Sequence, residues 1–281
     1  MNYKIIKNFL NNHDSENLIK DAQSNSDFVN YQKIHNNRFF LTCSNIEFVN
    51  LCNKSEAWKK LEQKLASEDF FKFCCDTLNL DNNKFQISNY FKNKENKTYQ
   101  KKIEKVGFSQ IKSLNTSTIV KFTFIRFLKR IFRKIKFSKI FFPFKKPVEL
   151  LYDYSVAGNG YTREIHRDSD NRIIVFLLYL NTLEEGTKGG NLEIFKLKNK
   201  MSKSSSAKPS KDECDNIENV SPEAGKLVIF QNGDDSFHSV SKIENAPNKR
   251  HFIYGGFTLL NGKNPYITNN SVLKTEFHLY E

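Results

Sequence analysis

The sequence predicts an α+β chain with a mainly β core, an antiparallel sandwich or barrel preceded by helices. Short apolar runs from Glu149 onward are punctuated by Gly and Asn turns, the pattern of closed or stacked antiparallel sheets. The first 112 residues instead space their apolar side chains at helical intervals. A triplet, His166-Arg167-Asp168, stands inside the strand-rich part and is followed by a second histidine in a Phe-His-Ser-Val context, His238.

The helical lead-in rests on two capped segments. Ser55 is an N-cap for a helix carrying Trp58, Leu61 and Leu65 on one face, and Ser67 precedes a second with Phe71, Cys74, Cys75 and Leu78. Such helices are expected to buttress the core. Next, residues 121–146 hold ten basic side chains and no acid, against a net charge of +13 for the whole chain. On a helical wheel, Phe124, Ile125, Phe127, Leu128, Ile131, Phe132 and Ile135 fall in one arc and the bases in the other, which predicts a basic amphipathic helix. Three roles fit it: a helix packed on the core with a solvated basic face, an interfacial helix on anionic lipid, or a docking surface for an acidic or nucleic-acid partner. Charges interrupt its apolar runs well short of the roughly 20 residues a spanning helix needs.

The strands follow. Glu149–Tyr154 leads through a Gly158-Asn159-Gly160 turn into Tyr161–His166, and Arg172–Leu180 is a branched, apolar run closed by Asn181. Gly189-Gly190 introduces Asn191–Phe195, and Gly225 introduces Lys226–Phe230 shortly before His238. Between them, Lys196–Asn216 turns polar around a Ser/Lys-rich centre and reads as a loop joining two core strands. The chain thus divides into a mostly helical buttress (1–112), a basic insertion (113–146), a β core (147–262) and a C-terminal extension (263–281).

Two histidines and one carboxylate suit a facial triad for non-haem iron(II), which leaves coordination positions open. Strand alternation would let His166 and Asp168 share a face while Arg167 points away. His13, His35, His251 and His278 lack ligand-like neighbours in sequence and read as surface or packing residues.

The motifs from Val148 to Leu260 resemble those of the iron(II)- and 2-oxoglutarate-dependent oxygenases, specifically the prolyl 4-hydroxylase-like branch. His166-Arg-Asp168, Arg172 through Tyr179-Leu-Asn181, Gly189-Gly-Asn-Leu192, Gly225 through Phe230, His238-Ser-Val240 and Arg250 occur in the family's order. The resemblance implies a double-stranded β-helix (jelly roll). It also implies a dioxygenase that hydroxylates an unactivated C–H bond, of a peptidyl prolyl or other protein residue, as 2-oxoglutarate is decarboxylated to succinate. His166, Asp168 and His238 would hold iron(II); Arg250 would bind the distal carboxylate of 2-oxoglutarate, its planar fork offering two hydrogen bonds. Tyr179 would donate to the same carboxylate, Tyr154 would lie nearer the metal end, and Tyr161 would line the mouth. Lys249 competes with Arg250, and alternation puts the two on opposite faces, Arg250 with Phe252 and Tyr254. Arg172 would brace its strand or the rim. The resemblance further implies O2 as the oxidant, with ascorbate as a candidate accessory reductant. The 12-residue interval from His238 to Arg250 exceeds that of the nearest relatives, and Asn245-Ala-Pro-Asn248 fills it with turn residues.

Two other functions remain open at this stage: an oxygenase acting on a lipid-linked or envelope glycan or small molecule at a membrane surface, and a non-catalytic β-helix protein binding through its basic helix. The expected partners are a protein or small-molecule substrate and, through 121–146, an anionic membrane; specific nucleic-acid binding is not expected. Five cysteines without C-x-x-C spacing argue against a disulfide framework or zinc module. With no sustained apolar run at the N-terminus, the expected location is cytoplasmic, peripheral at the inner face of a membrane if the basic helix binds lipid.

Overall fold

The computed structural model describes residues 1–25, 34–35, 37–87, 145–198, 208–260 and 262–268. The expected basic helix at 124–136, the centre of the polar loop at 199–207, the side chain of His35, and His278 lie outside the described residues.

Twelve strands form two sheets among the described residues. The larger takes β1 (Tyr3–Ile6), β10 (Leu227–Gln231), β7 (Arg172–Tyr179), β12 (Arg250–Leu259), β5 (Lys146–Ala157), β3 (Arg38–Thr42) and β2 (Ile34–His35) in that order. A short β4 (Phe85–Ile87) runs parallel to β5, and the other pairings are antiparallel. The smaller sheet is β6 (Arg163–His166), β11 (Phe237–Val240), β8 (Leu192–Leu197) and β9 (Cys214–Val220). From β5 onward consecutive strands alternate between the two sheets, except β8 and β9, which pair directly in the smaller one. This is the double-stranded β-helix, with an α+β composition and a β core.

β7 shows why the layers hold. Its sequence, RIIVFLLY, is buried along its whole length, as a strand covered on both faces must be. Ile174, Phe176 and Leu178 point to the helix layer, whereas Val175, Leu177 and Tyr179 point between the sheets. β10 splits in the same way, Leu227 and Ile229 against Val228 and Phe230. Where β12 passes between β5 and β7, Gly255 and Gly256 stand: a Cβ on Gly255 would come within 2.4 Å of the Tyr152 Cβ, and one on Gly256 within 2.2 Å of the Ile174 carbonyl oxygen.

Among the described residues, four α-helices cover the outer face: α1 (Asn12–Ser24), α2 (Ile46–Lys54), α3 (Glu56–Leu65) and α4 (Glu68–Thr77). Ser55 caps α3 by accepting from the Trp58 amide, and Ser67 caps α4 by accepting from that of Phe70, as their positions predict. Trp58 is buried edge-on to Phe48, its ring 4.9 Å from Tyr154, and its indole donates to the Leu18 carbonyl at 2.8 Å. No described helix is long and apolar enough to cross a membrane.

The N-terminal region differs from its mostly helical expectation by also supplying β1 to β4, which extend the larger sheet at both sides. These strands are only two to five residues long, too short for a period to show. The polar loop is also narrower than expected. Lys196 and Leu197 complete β8, a 3-10 turn capped by Ser210 spans Lys211–Glu213, and Cys214–Asn216 begin β9. Beyond β12, Asn264 is buried and its amide donates to the carbonyls of Arg172 and Asn232 at 2.6 and 2.7 Å, fastening the chain to the core.

Candidate active site

β6 and β11 pair with His166 opposite His238, and the ring centroids lie 4.3 Å apart. β6 ends at His166, so Asp168 stands in the loop after it rather than on the strand that alternation assumed. The shared direction survives the change. One ligand atom each from His166, Asp168 and His238 lies within 4.8 Å of the others, with His166 Nε2 3.9 Å from Asp168 Oδ1. Arg167 turns away to Asp170 at 3.0 Å and Asp234 at 3.8 Å.

Both imidazoles present the same nitrogen to this centre. His166 Nδ1 faces the Glu164 carbonyl at 2.8 Å, and His238 Nδ1 faces that of Ser236 at 3.2 Å. A carbonyl only accepts, so each Nδ1 carries the proton and each Nε2 keeps its lone pair, the form that ligates a metal. Burial, followed by the neighbouring His238, pulls His166 down to about 3, and burial lowers His238 as well. Burial alone would raise Asp168, but Arg172 and the two histidines outweigh it and bring the carboxyl down to about 2. Two neutral imidazoles and an ionised carboxylate therefore converge. Asp168 Oδ2 is buried without a hydrogen-bond partner among the described residues, an arrangement a cation would compensate.

A cavity opens beside the triad, lined by His166, His238, Arg250, Phe252, Phe230 and Tyr161. Arg250 begins β12, is buried, and donates from Nη2 to the Tyr179 hydroxyl at 3.3 Å. Its carbon Cζ lies 4.5 Å from the Phe252 ring centroid and 5.1 Å from that of Tyr179. Among the described residues, Nε and Nη1 have no hydrogen-bond partner. A buried guanidinium with two unsatisfied nitrogens is costly unless an anion meets it, and a carboxylate has the matching geometry. Lys249, one residue before the strand begins, is exposed. The turn residues before Arg250 are tied down, Asn248 bonding to Thr182 and Glu184 and the Ala246 amide to Asn159.

Tyr154 is not at this site. Its register partner is Ile253, so it shares the helix-facing side of the sheet with His251, whose Nδ1 is 2.7 Å from the Tyr154 hydroxyl. The cavity-facing positions of β5 beside it are Asp153 and Ser155, and both are bonded by Arg38 of β3. Arg38 and Tyr254 line the cavity without having been singled out. Tyr254 was legible as lying on the Arg250 face; Arg38 reaches the cavity from a strand more than a hundred residues earlier, which no local spacing signals.

Residues 151–257 match the model of the 2OG-Fe(II) oxygenase superfamily. Over those residues the chain is similar to that superfamily. That similarity, together with the His-Asp-His cluster, implies iron(II), 2-oxoglutarate and O2 as metal, co-substrate and oxidant. Among solved structures, a Pseudomonas putida prolyl-4-hydroxylase is similar at 14% identity over 93% of this chain and 94% of that one, with a TM-score of 0.49. A viral collagen prolyl hydroxylase from Paramecium Bursaria Chlorella virus-1, in a 2OG complex, is 9% identical over 92% and 97%, TM-score 0.45. A prolyl hydroxylase from Trichoplax adhaerens, in complex with a hypoxia inducible factor oxygen degradation domain peptide, is 13% identical over 92% and 83%, TM-score 0.42. A search of curated proteins gives no match.

Proposed function

We propose that this oxygenase hydroxylates an unactivated C–H bond, with a peptidyl prolyl or other protein residue as substrate, and that His166, Asp168 and His238 hold its iron(II). The observation that carries the reading is the cavity itself, which brings the His-Asp-His cluster and a buried, half-satisfied arginine to one space. When bound, the metal and 2-oxoglutarate supply O2 activation coupled to decarboxylation of the keto acid.

The chain's own residues bind, orient and exclude. The Nδ1 bonds to the Glu164 and Ser236 carbonyls keep both Nε2 atoms available. Arg250 offers Nε and Nη1 to the distal carboxylate of 2-oxoglutarate, with the Tyr179 hydroxyl beside it; Phe252 and Phe230 keep water from that end. The prolyl assignment draws on the order of motifs from His166 to Arg250. A lipid-linked substrate is the second reading, and the ten bases of 121–146 favour it; liposome flotation unchanged by deleting that segment would remove it.

Anaerobic titration with iron(II) and then 2-oxoglutarate tests the site without a known substrate. We expect a saturable metal-to-ligand charge-transfer band, lost in His166→Ala and requiring at least about 30-fold more 2-oxoglutarate in Arg250→Ala, since truncating one partner of a buried charged pair costs about 2–5 kcal/mol. A folded wild-type protein that gives no band would overturn the proposal.

A further inference from the structure

We infer that Tyr254 is a positioning residue for Asp168, backed by Arg172, and that the three act as one hydrogen-bonded unit. The inference rests on the reading of Asp168 as a metal ligand.

The Tyr254 hydroxyl is 2.6 Å from Asp168 Oδ1, and Arg172 Nη1 lies 2.8 Å from the same hydroxyl. A guanidinium cannot accept a hydrogen bond. The direction is therefore fixed: Arg172 donates to the tyrosine oxygen, and the single tyrosine proton goes to the carboxylate. Arg172 Nη1 is also 3.8 Å from Asp168 Oδ2, and its Cζ lies 5.2 Å from the Tyr254 ring centroid. The arginine thus holds the tyrosine by both ring and hydroxyl.

Such a brace has a reason to exist. His166 and His238 are held by paired strands, whereas Asp168 lies past the end of β6 and has no ladder to fix it. Its orientation must come from its side-chain partners. Tyr254 comes from β12, four residues beyond Arg250 and on the same face, so the carboxylate and the arginine are referenced to one strand. Arg172 comes from the first residue of β7, next to β12. Its aliphatic stem crosses β12 at Gly256, where a Cβ would stand 3.0 Å from the Arg172 Cδ.

Cobalt(II), whose d–d absorption reports ligand geometry, is a suitable probe. The proteins compared are wild type, Tyr254→Phe, Arg172→Gln and His166→Ala, each checked by far-UV circular dichroism. Tyr254→Phe removes one oxygen and keeps the ring; we expect cobalt(II) affinity to fall about 10–100-fold, as with other groups that orient metal ligands, and the d–d envelope to shift. Arg172→Gln should move both in the same direction by less, and it carries the test if Tyr254→Phe does not fold. Wild-type affinity and an unshifted spectrum in Tyr254→Phe would refute the positioning role while leaving the metal site intact. If His166→Ala binds cobalt(II) as wild type does, the metal-site reading itself fails.

Discussion

The two faces of β12 set adjacent residues to opposite tasks. On the helix side, His251 bonds to Tyr154, and Ile253 and Phe257 sink into the larger apolar cluster beside Trp58. On the cavity side, Arg250, Phe252 and Tyr254 face the triad, and Arg250 keeps two nitrogens without partners. One face is built for stability, and the other holds polar capacity in reserve for ligands. The strand can do both because its period of two separates them within a single residue step.

The difference makes substitutions on the two faces act on different quantities. Trp58→Ala should have the largest effect on stability, a loss of about 3–5 kcal/mol in urea denaturation, while the folded fraction binds cobalt(II) within about threefold of wild type. A comparable loss of metal affinity would break the separation of the faces.

The helix side should also contribute to the acid response. Burial, helped by Lys249, lowers His251 from its ordinary 6.5 to about 4. The unfolded chain then takes up a proton that the folded chain refuses. This contribution is complete above about pH 6.5 and is lost as pH falls through about 4, on the order of 3 kcal/mol in all. The paired substitution Tyr154→Phe with His251→Leu should flatten the urea midpoint between pH 6.5 and 4 relative to wild type. His166 and His238 leave a residual slope of the same sign in metal-free protein.

The smallest change sharpens the contrast by reversing sign. Arg250→Met removes a buried charge with unsatisfied nitrogens, and we expect the metal-free protein to be unchanged or about 1 kcal/mol more stable. On the proposed function, 2-oxoglutarate binding in the charge-transfer assay is lost in the same variant. A stability loss above about 2 kcal/mol would mean that Arg250 is a packing residue first.

What the sequence made legible follows the range of the signal. His166 and Asp168 are marked by their two-residue spacing and His238 by its place in the order of motifs, and the geometry brings the three together. Alternation separated Arg250 from Lys249, and the choice of Arg250 came from the family's basic residue at the start of the last core strand. The Ser55 and Ser67 caps are local chemistry and were equally visible. Tyr154 failed because alternation gives two faces without saying which is inward; the register with Ile253 decides that, and register is a property of the folded sheet. Arg38 and β1 to β4 were hidden for a related reason, since their partners lie far along the chain.

That distance bears on how the molecule comes into being. β1 pairs Tyr3 with Phe230 and Ile6 with Leu227, and Asn2 donates to the Leu78 carbonyl. At about 5–20 residues per second of synthesis, the partner of this strand emerges roughly 10 to 45 s after it. The helices carrying Trp58 and Phe71 are made early as well, and the β5 and β12 surfaces that they cover come later. For that interval the nascent chain carries an uncovered apolar helix face and an unpaired strand, so its yield in cells depends on what shields them until β10 arrives.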